Sequence, residues 1–222
     1  MRSASRREAM PARANRLAIR SPSLPLPVML RAIHAATPGG QKEMLVSPPL
    51  SRDQAGMSEI RTDRLTGRAV SSADAGHLER LFGDPEIRHW VSPAGAGWTA
   101  DRAELIAARL AAHWLAHGWG QRLWFAGDRL VGIAGLQFAV VGGTGAVEIA
   151  FAVAPSMRGQ GHAREALAAV LEESAGISRR VMAAVVEGNA PALALLRSAG
   201  FVECGRGRDG ERALLHLSRL AP

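Results

Sequence analysis

Val147-Glu148-Ile149-Ala150-Phe151-Ala152-Val153-Ala154-Pro155-Ser156-Met157-Arg158-Gly159-Gln160-Gly161-His162-Ala163 decides the fold of this chain. An apolar run ends at Pro155, a glycine loop follows, and an amphipathic helix opens behind it, predicted from Glu165 to Ala175. The first turn of a helix leaves backbone N–H groups without partners, and its dipole favours an anion there. Gly159 and Gly161 carry no Cβ, so the main chain can come close to a ligand. The loop lacks the Gly-Lys-Ser/Thr ending of a P-loop and the third glycine of a dinucleotide fingerprint.

The loop resembles the acetyl-CoA pyrophosphate loop of the GNAT superfamily of N-acetyltransferases, Arg/Gln-x-x-Gly-x-Gly/Ala, with Arg158, Gly161 and Ala163 on its fixed positions. The resemblance continues on both sides. Val147 to Phe151 is similar to that family's fourth strand. Asn189-Ala190-Pro191-Ala192 and Ala199-Gly200-Phe201 are similar to its late helix and following strand. Thr62-Asp63-Arg64-Leu65, Asp84-Pro85-Glu86-Ile87, Gly118-Trp119-Gly120 and Ala163-Arg164-Glu165-Ala166 resemble the Rim-type branch. That branch includes enzymes acetylating the N-termini of ribosomal proteins, and many acting on small amines or antibiotics.

Turn and cap signals give the rest of the order. Ile60 to Val70 reads as one first strand. A helix capped by Ser72 or Asp74 runs to Phe82 and is broken at Gly83-Asp84-Pro85. A second, capped by Thr99 or Asp101, runs to His117 and stops at Gly118. Strands are predicted over Arg122–Ala126, Arg129–Val141, Ala146–Ala154, Arg180–Val186, Phe201–Gly207 and Arg212–Leu220, with a helix behind Asn189. This is an α/β (α+β) chain with a mixed twisted sheet of about six or seven strands and about four helices on both faces. Its order coincides with the GNAT topology over 60–220.

Residues 1–56 differ from the rest. They hold nine basic and three acidic residues, a balance of +6, whereas 57–222 hold 18 and 17, a balance of +1. Seven prolines interrupt them and no periodicity is sustained, so disorder is expected. The open readings are a start at Met57 with an extension upstream, a transit segment, or a nucleic-acid or membrane-tethering arm. The near-neutral remainder speaks against a basic nucleic-acid face on the domain. No apolar run reaches ~18 residues, which speaks against a membrane span. Cys204 is the only cysteine, so no internal disulfide forms. A cytoplasmic monomer or homodimer is the expectation.

The resemblance implies acetyl transfer from acetyl-CoA to a primary amine, a small molecule or a peptide N-terminus, with no metal. It places the pyrophosphate on Arg158, Gly159, Gln160, Gly161, His162 and Ala163. It places the pantetheine arm on main-chain groups of Phe151, Ala152 and Val153, beside a splay between the fourth and fifth strands, with Asn189 reaching the arm or serving as a plain helix cap. Glu148 is the acidic residue of an otherwise apolar strand, so it is either paired with an arginine or the base. Trp90, Trp98 and Trp119 are candidates to line the acceptor pocket, or ordinary packing residues. His113 and His117 read as a solvated helix face, and Cys204 as core or edge packing. The family's tyrosine, seven residues after the asparagine, is Leu196 here, and the chain contains no tyrosine. Two other functions remain open: an acyl-CoA-binding sensor without turnover, and nucleic-acid association through residues 1–56.

Overall fold

A computed structural model describes residues 59–91 and 97–220. The predicted extension at 1–56 and most of the Pro93–Gly97 loop lie outside the described residues. Eight strands form one sheet: β1 (Glu59–Arg61), β2 (Thr66–Ala69), β3 (Gln121–Ala126), β4 (Arg129–Val141), β5 (Thr144–Val153), β6 (Arg180–Val186), β7 (Val202–Asp209) and β8 (Arg212–Leu220). Their order is β1-β2-β3-β4-β5-β6-β8-β7. Five helices accompany them: α1 (Ala75–Gly83), α2 (Pro85–Val91), α3 (Ala100–His117), α4 (His162–Ser174) and α5 (Ala190–Ser198).

Two elements exceed the expectation, and both have a local cause. The stretch Ile60 to Val70 is a hairpin of two strands. The Thr62 N–H donates to the Leu65 carbonyl at 2.9 Å, and the Leu65 N–H donates to the Thr62 hydroxyl at 3.0 Å, which folds the chain back. Pro85 opens a helix instead of only breaking one. Its missing N–H costs nothing at a first helical position, and Asp84 Oδ1 accepts from the N–H groups of Glu86 and Ile87. Helix α4 also starts at His162, three residues before the predicted Glu165.

Strand alternation sorts the two faces. Val147 and Ile149 of β5 join a core with Leu167 and Val170 of α4 and Leu193 and Leu196 of α5. Ala150 and Ala152 join a second core with Leu78 of α1, Ile87 of α2 and Ile106 and Leu110 of α3. Glu148 belongs by parity to this second face. Thr99 caps α3, its hydroxyl accepting from the Arg102 N–H at 3.3 Å, and Gly118 ends it at φ 74°.

The feature that makes a site is a pairing that stops. β4 and β5 stay in antiparallel register along ten residue pairs. β5 and β6, the one parallel pair among the described strands, are in register only at Val147↔Val181 and Glu148↔Met182. Beyond these two rungs the strands diverge, and polar main-chain groups of β5 face a gap.

Candidate active site

A cavity of about 570 Å³ fills that gap, walled by β5, β6, the 158–164 loop and the near sides of α2 and α5. Its β5 wall follows from parity. The Ala154 N–H bonds to Val131 O, so even-numbered residues of this stretch turn their main-chain groups to β4. Phe151 and Val153 therefore present theirs to the gap. Ala152 does not: its carbonyl lies against Gly132 of β4, and the residue lines the cavity without offering a free main-chain partner. Gly132 makes this approach possible, because a Cβ there would overlap that oxygen.

The glycine loop meets the cavity at the N-terminus of α4. Gly159 and Gly161 sit at φ 71° and 81°, a region that L side chains rarely adopt. Space beside Gly159 is open. His162 is buried, with Nδ1 3.3 Å from Met157 O, so it fixes the loop to the turn before it. Gln160 Nε2 donates to Ser156 O at 3.2 Å. Ala163 lines the cavity. Arg158 donates through Nε to Val153 O at 3.1 Å and forms an ion pair with Glu86 of α2, across the cavity mouth.

A clamp that the sequence reading did not single out holds this loop. Arg64, from the β1–β2 turn, donates through Nη1 to Gln160 O at 2.8 Å and through Nε to Glu165 at 2.7 Å. Glu165 also accepts from the Thr62 hydroxyl at 2.5 Å and from the Arg64 N–H at 2.9 Å. The bonds outweigh the desolvation that opposes them, and the Glu165 carboxyl is held below its usual range. The Thr-x-Arg and Arg-Glu pairs were visible in the chain. Their meeting across a sequence separation of 101 was not.

Glu148 stands at the apex of the splay, 4 % exposed. Gln137 Nε2 donates to its Oε2 at 3.0 Å and the Ala184 N–H to its Oε1 at 3.2 Å. No ion pair joins it to a cation among the described residues. Burial pushes its pKa up to about 7, against the lowering effect of the two bonds. Asn189 caps α5, its Oδ1 accepting from the Ala192 N–H at 3.3 Å, and it also lines the cavity. Leu196 is fully buried in the cavity wall.

The tryptophans separate. Trp90 lines the cavity. Trp98 stacks on Phe82 at 4.7 Å, away from it. Trp119 sits in a cluster with His113, at 4.7 Å, and Phe138, at 4.8 Å. The His113 and His117 face is therefore not simply solvated: burial lowers the His113 pKa to about 4. Among the described residues no group of three or more side chains is arranged to hold a metal ion, and no helix is long and apolar enough to cross a membrane. Cys204 is exposed on β7, the edge strand.

A sheet splayed beside a glycine loop at a helix N-terminus defines an acyl-CoA-type transferase site. Residues 64–202 match the model of the acetyltransferase (GNAT) domain, and the chain belongs to that family. A protein of Bordetella pertussis assigned to the GnaT acetyltransferase family is 29 % identical, over 72 % of this chain and 98 % of that one, with a TM-score of 0.62. The ribosomal L7/L12 alpha-N-protein acetyltransferase RimL, in complex with coenzyme A, is 19 % identical over 73 % and 97 %, with a TM-score of 0.60. The spermidine N-acetyltransferase of Vibrio cholerae, in complex with CoA and spermine, is 20 % identical over 72 % and 97 %, at 0.57. These last two share the fold. A search of curated proteins finds no match.

Proposed function

We propose that this chain transfers acetyl from acetyl-CoA to a primary amine, a small molecule or a peptide N-terminus, by direct attack with both substrates bound. The observation that carries the reading is the placement of Glu148, a buried carboxylate with a pKa near neutrality, at the apex of the β5–β6 splay. The fit to the co-substrate rests on the same geometry. The cleared glycine loop suits a pyrophosphate, and the main-chain groups of Phe151 and Val153 suit an amide-bearing arm, which binds as an added strand would. When bound, acetyl-CoA supplies the activated acyl carbon.

The chain's own contribution is to orient and to move protons. Asn189 and Phe151 border the arm's path, Leu196 keeps that wall dry, and Glu148 takes a proton from the acceptor nitrogen. No tyrosine is available for the leaving thiolate, so its proton comes from Glu148 or solvent. The relatives named above act on a ribosomal protein and on a polyamine, which supports testing both acceptor classes.

The test is product mass after incubation with acetyl-CoA and a panel of small amines, polyamines, aminoglycosides and peptides with varied N-termini. An acetylated product is expected. Acetyl-CoA binding with no product from any amine overturns the reading and favours the sensor, the reading that the leucine at position 196 prompts.

A further inference from the structure

The cavity along β5 has two sides. Ile149, Leu195 and Leu196 line it from the face that α4 and α5 cover, and Ile87, Trp90 and Val91 line it from α2 on the opposite face. An arm bonded to the main chain of Phe151 and Val153 lies in the plane of the sheet, where a further strand would lie. It therefore fills the slot between β5 and β6 and leaves clear the space between the sheet and α2. The volume of about 570 Å³ takes in both parts.

The α2 side is an apolar chamber. Its floor is made of alanine methyls. Ala150 and Ala152 of β5 point to this face. So does Ala184 of β6, because its neighbours Ala183 and Val185 join the core under α4 and α5. The roof is Ile87, Trp90 and Val91. It is held at both ends, so α2 does not settle onto the sheet and fill the space. Asp84 caps the first turn, and Ile87 is buried in the core with α1 and α3. At the other end, Arg212 of β8 donates through Nη2 to Trp90 O at 2.6 Å. Glu148 belongs to the same sheet face and lines the inner end of the cavity. An acyl carbon within reach of an amine that Glu148 deprotonates thus sits at the edge of the chamber.

We propose that this chamber binds the acyl chain, and that the site transfers unbranched apolar acyl groups of three and four carbons as well as acetyl. This rests on the acetyl-transfer reading. Acetyl puts a single methyl there. The two further methylenes of butyryl need ~60 Å³, at roughly one water's share of liquid volume each. That is a small part of the cavity. Burying each methylene between alanine methyls and the α2 side chains is favourable, by about fourfold in affinity. A chain ending in a carboxylate gains nothing, because the charge would be desolvated on the face that already holds Glu148. The chemistry at the carbonyl is that of acetyl transfer. The lone pair of the neutral amine forms the C–N bond while the C–S bond breaks and its electron pair leaves with sulfur. One nitrogen proton passes to Glu148 and on to the thiolate, so the sum is an amide and free CoA.

The experiment is calorimetry of the full chain with coenzyme A and its acetyl, propionyl, butyryl, hexanoyl and succinyl thioesters, then product mass with the amine panel above. Affinity is expected to rise about fourfold per methylene from acetyl to butyryl, and succinyl-CoA to bind no better than acetyl-CoA. Propionyl and butyryl amides are expected to form with kcat/KM at least equal to that for acetyl. Val91→Phe lowers the roof and is expected to abolish the rise. Trp90→Ala lifts the roof and is expected to extend the rise to hexanoyl-CoA. Both variants are read as ratios to their own acetyl-CoA affinity, so a general loss cancels. Affinity that stays flat or falls from acetyl to butyryl overturns the inference and leaves acetyl transfer standing. A rise that Val91→Phe leaves intact also overturns it, since the chain then lies elsewhere. So does tight butyryl-CoA binding with acetyl the only group transferred. If neither coenzyme A nor any thioester binds, the acetyl-transfer reading falls with it.

Discussion

Glu148 Oε1 accepts the Ala184 N–H at 3.2 Å, two residues past Met182, the last β6 residue in register with β5. The carboxylate thus stands where the next rung of the ladder would be, wedging the strands apart and satisfying the N–H that the divergence would strand. One side chain opens the site and is also its proposed proton acceptor. Glu148→Gln is expected to keep the wedge, since its amide oxygen accepts the same N–H, and to lower kcat/KM by about 10²–10⁴-fold. The wild-type rise in kcat/KM through pH about 7 should disappear with it, as read in a pH–rate profile.

The same carboxyl makes a stability prediction with a definite sign. Its folded-state pKa is raised from 4.5 to about 7, so the protonated form suits the fold and the anion opposes it. The stabilisation is complete below pH about 4.5 and lost as pH rises through about 7. The loss is roughly 3 kcal/mol at ~1.4 kcal/mol per pKa unit. Glu148→Gln lacks this slope. Urea unfolding of both proteins is expected to show the variant gaining on the wild type between pH 4.5 and 7 and holding level above.

Gly161 stands at φ 81°, and a Cβ there would lie 3.2 Å from Arg64 Nη2. Gly161→Asp therefore strains the backbone by about 1–2 kcal/mol and sets a negative charge where an anion should sit. Arg64 compensates part of that charge, but only by leaving Gln160 O and Glu165. Titration calorimetry should show acetyl-CoA affinity reduced at least tenfold. Unchanged affinity would remove the phosphate from this loop.

Periodic and capped elements were legible in the chain; meetings between distant residues were not. β6 was bounded correctly at Arg180–Val186, because Gly188 and Asn189 punctuate it and its apolar alternation is clean. The β1–β2 hairpin was missed because Thr62 makes the turn through its hydroxyl, without glycine or proline. At the site, local motif gave the loop and the acidic residue of β5. Parity excludes Ala152 from offering its main chain to the gap, and that needed only the one bond fixing the phase of β5.

Arg64→Ala tests the clamp separately from the chemistry. It removes the side-chain bonds to Gln160 O and Glu165, leaving the Thr62 hydroxyl and the main-chain N–H of residue 64 to hold Glu165 in the first turn of α4. The loop loses its fixed shape, but Glu148 and the splay are untouched. The expected result is a KM for acetyl-CoA raised several-fold with kcat within about twofold. A fall in kcat alone would mean that Arg64 acts on the chemistry and not on the loop.

The Arg158–Glu86 pair predicts a gain from a deletion. The pair bridges the cavity mouth, with Arg158 36 % and Glu86 59 % exposed, so solvent screens it and it contributes only ~0–1 kcal/mol to stability. While paired, the guanidinium is held toward Val153 O and α2 and away from a phosphate at the loop. Glu86→Ala removes that competitor and one negative charge from the approach. Acetyl-CoA affinity is then expected to rise a few-fold at low salt, with the gain shrinking as ionic strength increases, and Tm should move by no more than a few degrees. Arg158→Ala should lower affinity, and the Glu86→Ala effect should vanish in its background. If Glu86→Ala weakens binding instead, the pair is a scaffold for the mouth and not a competitor. Calorimetry on the single and double variants, at two salt concentrations, separates these outcomes.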